Sequence, residues 1–363
     1  MVYPYFDHPS SHTLCKGLVE KDCEITIFCC PHKNEIKTLQ GVKIIHTPYL
    51  FKLRPYFPIS IPRVPTFEEF DILHLHEDYQ LNTFYCSFFS RIKTSIPTIL
   101  TEHYDGYVIG HTGWRLLRSL TNIIIGKTVV SGCDRYIAHT QKSREYLINQ
   151  GAKPTLIDIL YHPVDASLFA PRKSNALNKH LSDNGIKFLF VGRLAKSKGV
   201  YCLIFALKHL IQSKMNAKLF IIGRGIEERN LKTLVSSLDL TDFVDFLGNV
   251  SYKRLPEFYN ACDVFVLPSL IDPSPSVILE AMACGKPVIG SKVGGIEEIL
   301  VDRETGYLFK PNNYKKLSLL MRKFAESPEL IQQFGKNSRK RIEEVYALDK
   351  IAEKLIRIYE KIV

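Results

Sequence analysis

The chain has no apolar run approaching the roughly 18 to 20 residues that a helix needs to cross a bilayer. It has no basic segment leading into an apolar one near its start, no C-x-x-C pair and no low-complexity tract. These absences speak against a membrane-spanning, an exported or a disordered chain, and we expect a cytoplasmic protein. Its nine cysteines are scattered. An odd number without metal or disulfide spacing, in a chain with no export signal, predicts free thiols. Cys29 and Cys30 are adjacent, but no redox or metal role is expected of them. Zinc-finger spacing, RNP motifs and basic helical arms are missing too, so nucleic acid is not an expected partner.

What is present is ordinary in kind and uneven in placement. The 363 residues are 45% hydrophobic and 23% charged, enough for two or three globular domains. The net charge of +11 splits into +1 over residues 1–170 and +10 over the rest. The first part instead holds ten of the twelve histidines. Such asymmetry suggests two domains with different work, the basic one suited to phosphate.

The second half alternates strand and helix. Apolar strands are predicted at Lys187–Val191, Ala217–Ile222, Val244–Leu247 and Val264–Leu267, with helices at Val200–Gln212, Glu227–Leu238 and Arg254–Ala261. Glycine turns join them, which implies a parallel, doubly wound α/β sheet whose ligands bind beyond the carboxyl ends of the strands. The first half shows the same rhythm less cleanly, with strands at Glu24–Cys30, Val42–His46, Asp71–His76, Thr98–Thr101 and Arg135–His139. The polar stretch Ala170–Gly185 is the candidate linker, and Asp349–Ile362 has the apolar spacing of an amphipathic helix.

The most informative stretch is D-P-S-P-S-V-I-L-E, Asp272–Glu280, running into A-M-A-C-G-K-P-V-I-G. Ser274 is expected to cap a helix, Pro275 to open it and Gly285 to close it. Glu280 lies one turn after Ser276, and side chains lean toward the helix start, so its carboxylate points to an anion-binding mouth. A phosphate at the mouth and a ribose on the acid would make a nucleotide site. Upstream, F-L-F-V-G-R-L-A-K-S-K-G puts Gly192, Arg193 and Lys198 in the turn after a strand, where two cations could clamp a diphosphate. Gly223 and Gly225 in I-G-R-G, and Leu247 in D-F-L-G-N, close two further strands where a base could approach the backbone; simple tight turns would look the same. Gly294 and Gly295 open another helix and would let a phosphate or sugar come close.

In order and spacing these residues resemble the retaining glycosyltransferases of family 4. Arg193 and Lys198 match the family's G-R-x-x-x-x-K-G, Asp272 and Glu280 its E-x7-E, and Gly294, Gly295 and Glu298 its G-G-x-x-E. The resemblance covers nearly the whole chain and is strongest over Lys187–Lys310. It implies the GT-B fold: two Rossmann-like, doubly wound α/β domains (1–169 and 170–345) facing a cleft, and a terminal helix (346–363) returning to the first. It also implies that Arg193 and Lys198 hold the donor diphosphate, that Glu280 binds ribose and that Asp272 meets the transferred sugar. The amides of Ser276 and Val277 would serve the helix mouth, since Pro275 lacks an N–H. His103, after the strand Thr98–Thr101, would lie near the sugar. The donor would be a UDP- or GDP-sugar, the acceptor a glycan or lipid-linked hydroxyl, and neither metal nor cofactor is expected. His74 and His76 share a strand face, but no third ligand has recognisable spacing.

The sequence departs from the family in three places. Asp272-Pro273-Ser274-Pro275 replaces Glu-Gly-Phe-Gly, which leaves donor identity open. The first strand begins almost at Met1 and its turn, Asp7–His12, has no glycine; a shortened central strand should cost stability unless the true start lies upstream. Tyr161-His162-Pro163 replaces the usual Asn-Gly before Val164-Asp165. Trp114–Val130 and Phe51–Pro58 combine apolar residues with Arg115, Arg118, Lys127, Lys52 and Arg54, and could dock on an anionic membrane. A non-catalytic nucleotide-sugar-binding protein and a nucleotide-sugar 2-epimerase are the rival readings.

Overall fold

The computed structural model describes residues 2–3, 9–29, 36–39, 41–46, 51–52, 58–59, 69–76, 81–93, 95–103, 125–177 and 185–363. Most of the expected membrane-docking segments (53–57 and 114–124), Cys30, and residues 7–8 and 178–184 of the expected turn and linker lie outside them. The chain forms two compact units, Met1–Pro163 with Leu348–Val363, and Val164–Ala347.

The second unit is a six-stranded, wholly parallel sheet. Its strands are β11 (Ile186–Val191), β12 (Ala217–Ile222), β13 (Val244–Gly248), β14 (Val264–Leu267), β15 (Val288–Ser291) and β16 (Gly306–Phe309). Their spatial order is β13-β12-β11-β14-β15-β16, the arrangement of a dinucleotide-binding sheet. Near-continuous apolar strands belong in a sheet covered on both faces. Phe188, Leu189, Phe190, Leu219, Phe220 and Phe265 are accordingly buried. Between strands, the helix Val200–Gln212 buries Leu203, Ala206, Leu207 and Leu210 at the spacing of one helical face. The stretch after Ala170, read as a linker, packs into this unit: Arg172 N donates to Asn260 Oδ1 at 2.8 Å, Ser174 Oγ to Glu257 O at 2.7 Å, and Leu177 is fully buried.

The first unit repeats the plan with more strands. Its sheet comprises β1 (Val2–Tyr3), β2 (Ile25–Cys29), β3 (Ile36–Leu39), β4 (Val42–His46), β7 (Leu73–His76), β8 (Thr98–Glu102), β9 (Arg135–Ala138) and β10 (Ile157–Ile159). The order is β10-β9-β8-β7-β1-β2-β4-β3, parallel except for β3 against β4. A short antiparallel pair, β5 (Phe51–Lys52) with β6 (Pro58–Ile59), stands apart. β1 is central, pairing with both β2 and β7.

The terminal helix spans Leu348–Tyr359 and belongs to the first unit. Ile351, Ala352, Leu355 and Ile358 enter a core with Leu14, Leu18, Ile27 and Ile99. Lys21 Nζ meets Glu353 at 3.0 Å on its flank. Among the described residues no helix is long and apolar enough to cross a membrane, and Cys15, Cys23, Cys86, Cys133, Cys202, Cys262 and Cys284 are free thiols.

Leu355 is fully buried and Lys354 exposed. Leu355→Ala should destabilise the first unit by about 2–5 kcal/mol through lost contacts and a residual cavity, while Lys354→Ala should change it by less than about 0.5 kcal/mol. Urea unfolding of the two variants measures the difference.

Candidate active site

In the six-stranded sheet the winding reverses between β11 and β14. The loops leaving two such strands diverge, and the crevice between them is where ligands bind. The loop after β11 carries Gly192, Arg193 and Lys198; the loop after β14 carries Asp272. The two loops meet. Lys198 Nζ lies 2.7 Å from Asp272 Oδ2, with side chains only 19% and 6% exposed. Ser269 Oγ donates to the same oxygen at 2.9 Å. One carboxylate oxygen thus holds two donors, and the other has no hydrogen-bond donor among the described residues. The backbone repeats the contact: Leu270 N donates to Ser197 O at 2.7 Å. Gly199 is left-handed (φ 65°), and a Cβ there would lie 2.0 Å from Pro268 O, so no other residue fits. Arg193 is exposed in the same turn.

The remaining glycines have a different use from the one expected. A Cβ on Gly294 would lie 2.3 Å from Asp272 O, and one on Gly295 2.3 Å from Pro273 O. Gly295 N donates to Asp272 O at 3.0 Å. What comes close to these glycines is the chain's own Asp272–Pro273 backbone, so they seat the loop that aims the carboxylate. Gly223 and Gly225 likewise lie under the loop after β11, where added Cβ atoms would fall 2.0 Å from Gly192 O and 2.2 Å from Leu194 O. Leu247, in β13, is half-buried, and its neighbour Gly248 accepts from Gly223 N at 2.8 Å.

The helix after Asp272 begins one residue later than expected. It spans Ser276–Ala283 with Pro275 in the cap position, and Ser274 makes no side-chain cap. A proline disfavours helical backbone in the residue before it, and here Ser274 O accepts from Ser276 N at 3.1 Å. Ile278 N donates to Pro275 O at 3.1 Å. Of the first three amides, that of Val277 remains for a ligand. Gly285 ends the helix at φ 71°. Glu280, 5% exposed, accepts from Tyr259 Oη at 2.8 Å. Burial pushes its carboxyl up to about 7, partly offset by that hydrogen bond.

The first unit brings together histidines that are far apart in sequence. His76 ends β7, His103 follows β8, His139 follows β9 and His162 lies just beyond β10. Parallel pairing puts those four ends on one edge. His76 Nδ1 lies 3.0 Å from His103 Nε2. The ring of His139 stacks on that of His162 at 3.9 Å and tilts against that of His103 at 4.5 Å. His74 lies behind, between Tyr359 Oη (2.7 Å) and Thr101 Oγ1 (2.6 Å). Burial holds His74 down to about 3 and His139 down to about 4, and keeps His76 well below the usual range. Of this group, His139 and His162 were not singled out as site residues. The available signal was the excess of histidine in the first half, with each one near a strand end.

Two family models match the chain. "Glycosyltransferase Family 4" matches residues 10–168, and "Glycosyl transferases group 1" residues 172–341. An uncharacterised glycosyltransferase of Methanocaldococcus jannaschii is 34% identical over 50% of this chain, and that match spans 46% of the relative, somewhat under half its length. A second from the same organism is 27% identical over 99% of this chain and 96% of its own. Among solved structures, Anabaena HepE in complex with UDP-glucose superposes with a TM-score of 0.75 at 19% identity, over 99% of this chain and 98% of that one. That likeness extends the two-domain GT-B fold to this chain.

The buried groups give the two units opposite responses to pH. His74 and His139 have folded values below the ordinary 6.5. Below pH 6.5 the unfolded chain therefore binds protons that the folded one refuses. Their contribution is complete above that pH and falls by about 1.4 kcal/mol per pH unit per histidine below it. Glu280 is raised above 4.5, so its contribution is complete below pH 4.5 and falls as the pH rises toward 7. Thermal scans from pH 7.5 to 5.0 should lower the transition of the first unit, with a shallower slope in His139→Gln. A pH-independent first transition would contradict this assignment.

Proposed function

The chain belongs to the group 1 glycosyltransferases, and on that premise we propose that it moves a hexose from a nucleoside diphosphate sugar, UDP- or GDP-linked, to an acceptor hydroxyl, in the cytoplasm and with retention of configuration. The observation that carries this reading is the Lys198–Asp272 pair at the point where the sheet reverses. It puts a fixed cation and a carboxylate on the same few ångströms of crevice, one suited to a diphosphate and the other to a sugar hydroxyl.

In this reading Lys198 and Arg193 neutralise the diphosphate as it leaves. The charge that develops on the departing oxygens is larger than in the bound donor, so preorganised cations lower the barrier. Asp272 orients Lys198 through one oxygen and takes a hydroxyl of the transferred sugar with the other. Glu280 receives the ribose hydroxyls, and the Val277 amide meets a phosphate oxygen. Gly192, Gly223, Gly225, Leu247, Ser276, Gly294 and Gly295 frame the pocket. The family resemblance assigns His103 to the transferred sugar. Two cations already complement the diphosphate, and the transfer needs no metal on it. Retention follows the family's same-face attack, assisted by the leaving diphosphate. HepE, solved with UDP-glucose, supports UDP as the carrier.

The acceptor is a glycan, glycolipid or lipid-linked hydroxyl. The basic, apolar segments 51–58 and 114–130 suit an anionic membrane surface. Co-flotation with anionic but not neutral liposomes supports that docking, and no lipid-dependent flotation counts against it.

Lys198→Ala should lower kcat for nucleotide release from the preferred donor by about 10²–10³-fold, with a smaller change in donor KM. The assay is a coupled nucleotide-release measurement after a thermal-shift screen of nucleotide sugars. Unchanged turnover would remove the diphosphate assignment.

A further inference from the structure

The four histidines at the strand ends of the first unit are more than the transfer reaction uses. One ring nitrogen from each of His103, His139 and His162 lies within 4.8 Å of the other two. His139 is the most informative. Its Nδ1 lies 2.6 Å from Leu160 O. A carbonyl can only accept, so Nδ1 carries the proton and Nε2 presents a lone pair. That Nε2 is buried and has no hydrogen-bond partner among the described residues. The ring as a whole is 7% exposed. A buried polar atom left this way is unfavourable, unless something else meets it. An N–H held by a backbone carbonyl, with the opposite nitrogen aimed into a group of imidazoles, is how metal-binding histidines are held.

We propose that His103, His139 and His162 bind a divalent transition-metal ion of the zinc class. Neutral imidazole nitrogens suit zinc and its neighbours and do not suit magnesium or calcium. Burial, by disfavouring imidazolium, equally disfavours an anion as the occupant. Nitrogens around tetrahedral zinc sit about 3.3 Å apart, so nitrogens within 4.8 Å of one another must close by about 1.5 Å at most. His103 and His162 are half-buried, while His139 is held by Leu160 O. His76, against His103 at 3.0 Å, braces a second ligand. Leu14, Ile137, Leu160 and Leu355 line the same pocket and give the site the apolar surround that restricts access of water. Three protein ligands leave a coordination position for water or a hydroxyl.

The spacing rules missed this site because its ligands come from separate strands. It is separable from the donor reading, because its readout is metal occupancy and the two ligands varied in the test, His139 and His162, have no part in that reading. The test uses the full chain without a polyhistidine tag, stripped by chelator and titrated with zinc against a chromophoric competitor. One equivalent should bind with submicromolar Kd. His139→Ala and His162→Ala should each weaken binding at least about 100-fold, and cobalt should give a visible ligand-field spectrum that both variants lose. A cooperative thermal transition of the first unit should persist in both, which shows that the altered unit folds. No zinc binding by the unaltered chain, or an affinity in either variant equal to that of the unaltered chain, would overturn the proposal.

Discussion

Parallel strands impose one constraint from which the functional arrangement follows. When neighbouring strands run the same way, all their carboxyl ends reach the same edge, and the loops that leave them are gathered there whatever their distance in sequence. In the second unit this edge receives the loops after β11, β12, β14 and β15, and the reversal of winding between β11 and β14 opens a crevice among them. The Lys198–Asp272 pair spans that reversal. In the first unit the same constraint collects His76, His103, His139 and His162.

The two edges differ in charge because the sequence differs in charge. The second half carries nearly all of the net +11 and presents cations beside a buried carboxylic acid. The first half is nearly neutral and presents imidazoles kept uncharged by burial. A cationic edge recognises phosphate, while a neutral imidazole edge recognises hydroxyls or a soft cation. Glycine holds the second unit's loops in place at Gly199, Gly294 and Gly295, where any side chain would meet a carbonyl oxygen of a neighbouring loop. The resulting backbone contacts hold the carboxylate of Asp272 where one oxygen takes both Lys198 and Ser269.

Much of this was legible in the residues. The helix Val200–Gln212 and the strands Ala217–Ile222 and Val264–Leu267 fall where periodicity put them, because an apolar stripe at helical spacing and a short continuous apolar run have few alternatives between glycine turns. The order of Lys198, Asp272 and Glu280 carried the family resemblance. Three features were misjudged for local reasons. Ser274 looked like a cap, but Pro275 shifts the helix start beyond it. Gly294 and Gly295 looked like a seat for ligand and are a seat for backbone. The histidines do not stand out as a group because His76 and His139 are 63 positions apart in the sequence, and only strand order makes them neighbours.

The central claim is that one crevice, spanned by Lys198 and Asp272, holds the donor. A crystal structure with a bound nucleoside diphosphate tests it most directly. The account predicts the diphosphate at Lys198 and Arg193 and the ribose hydroxyls within hydrogen-bond reach of Glu280. A nucleotide bound elsewhere, with the Lys198–Asp272 pair untouched and Glu280 still turned to Tyr259 alone, would contradict it.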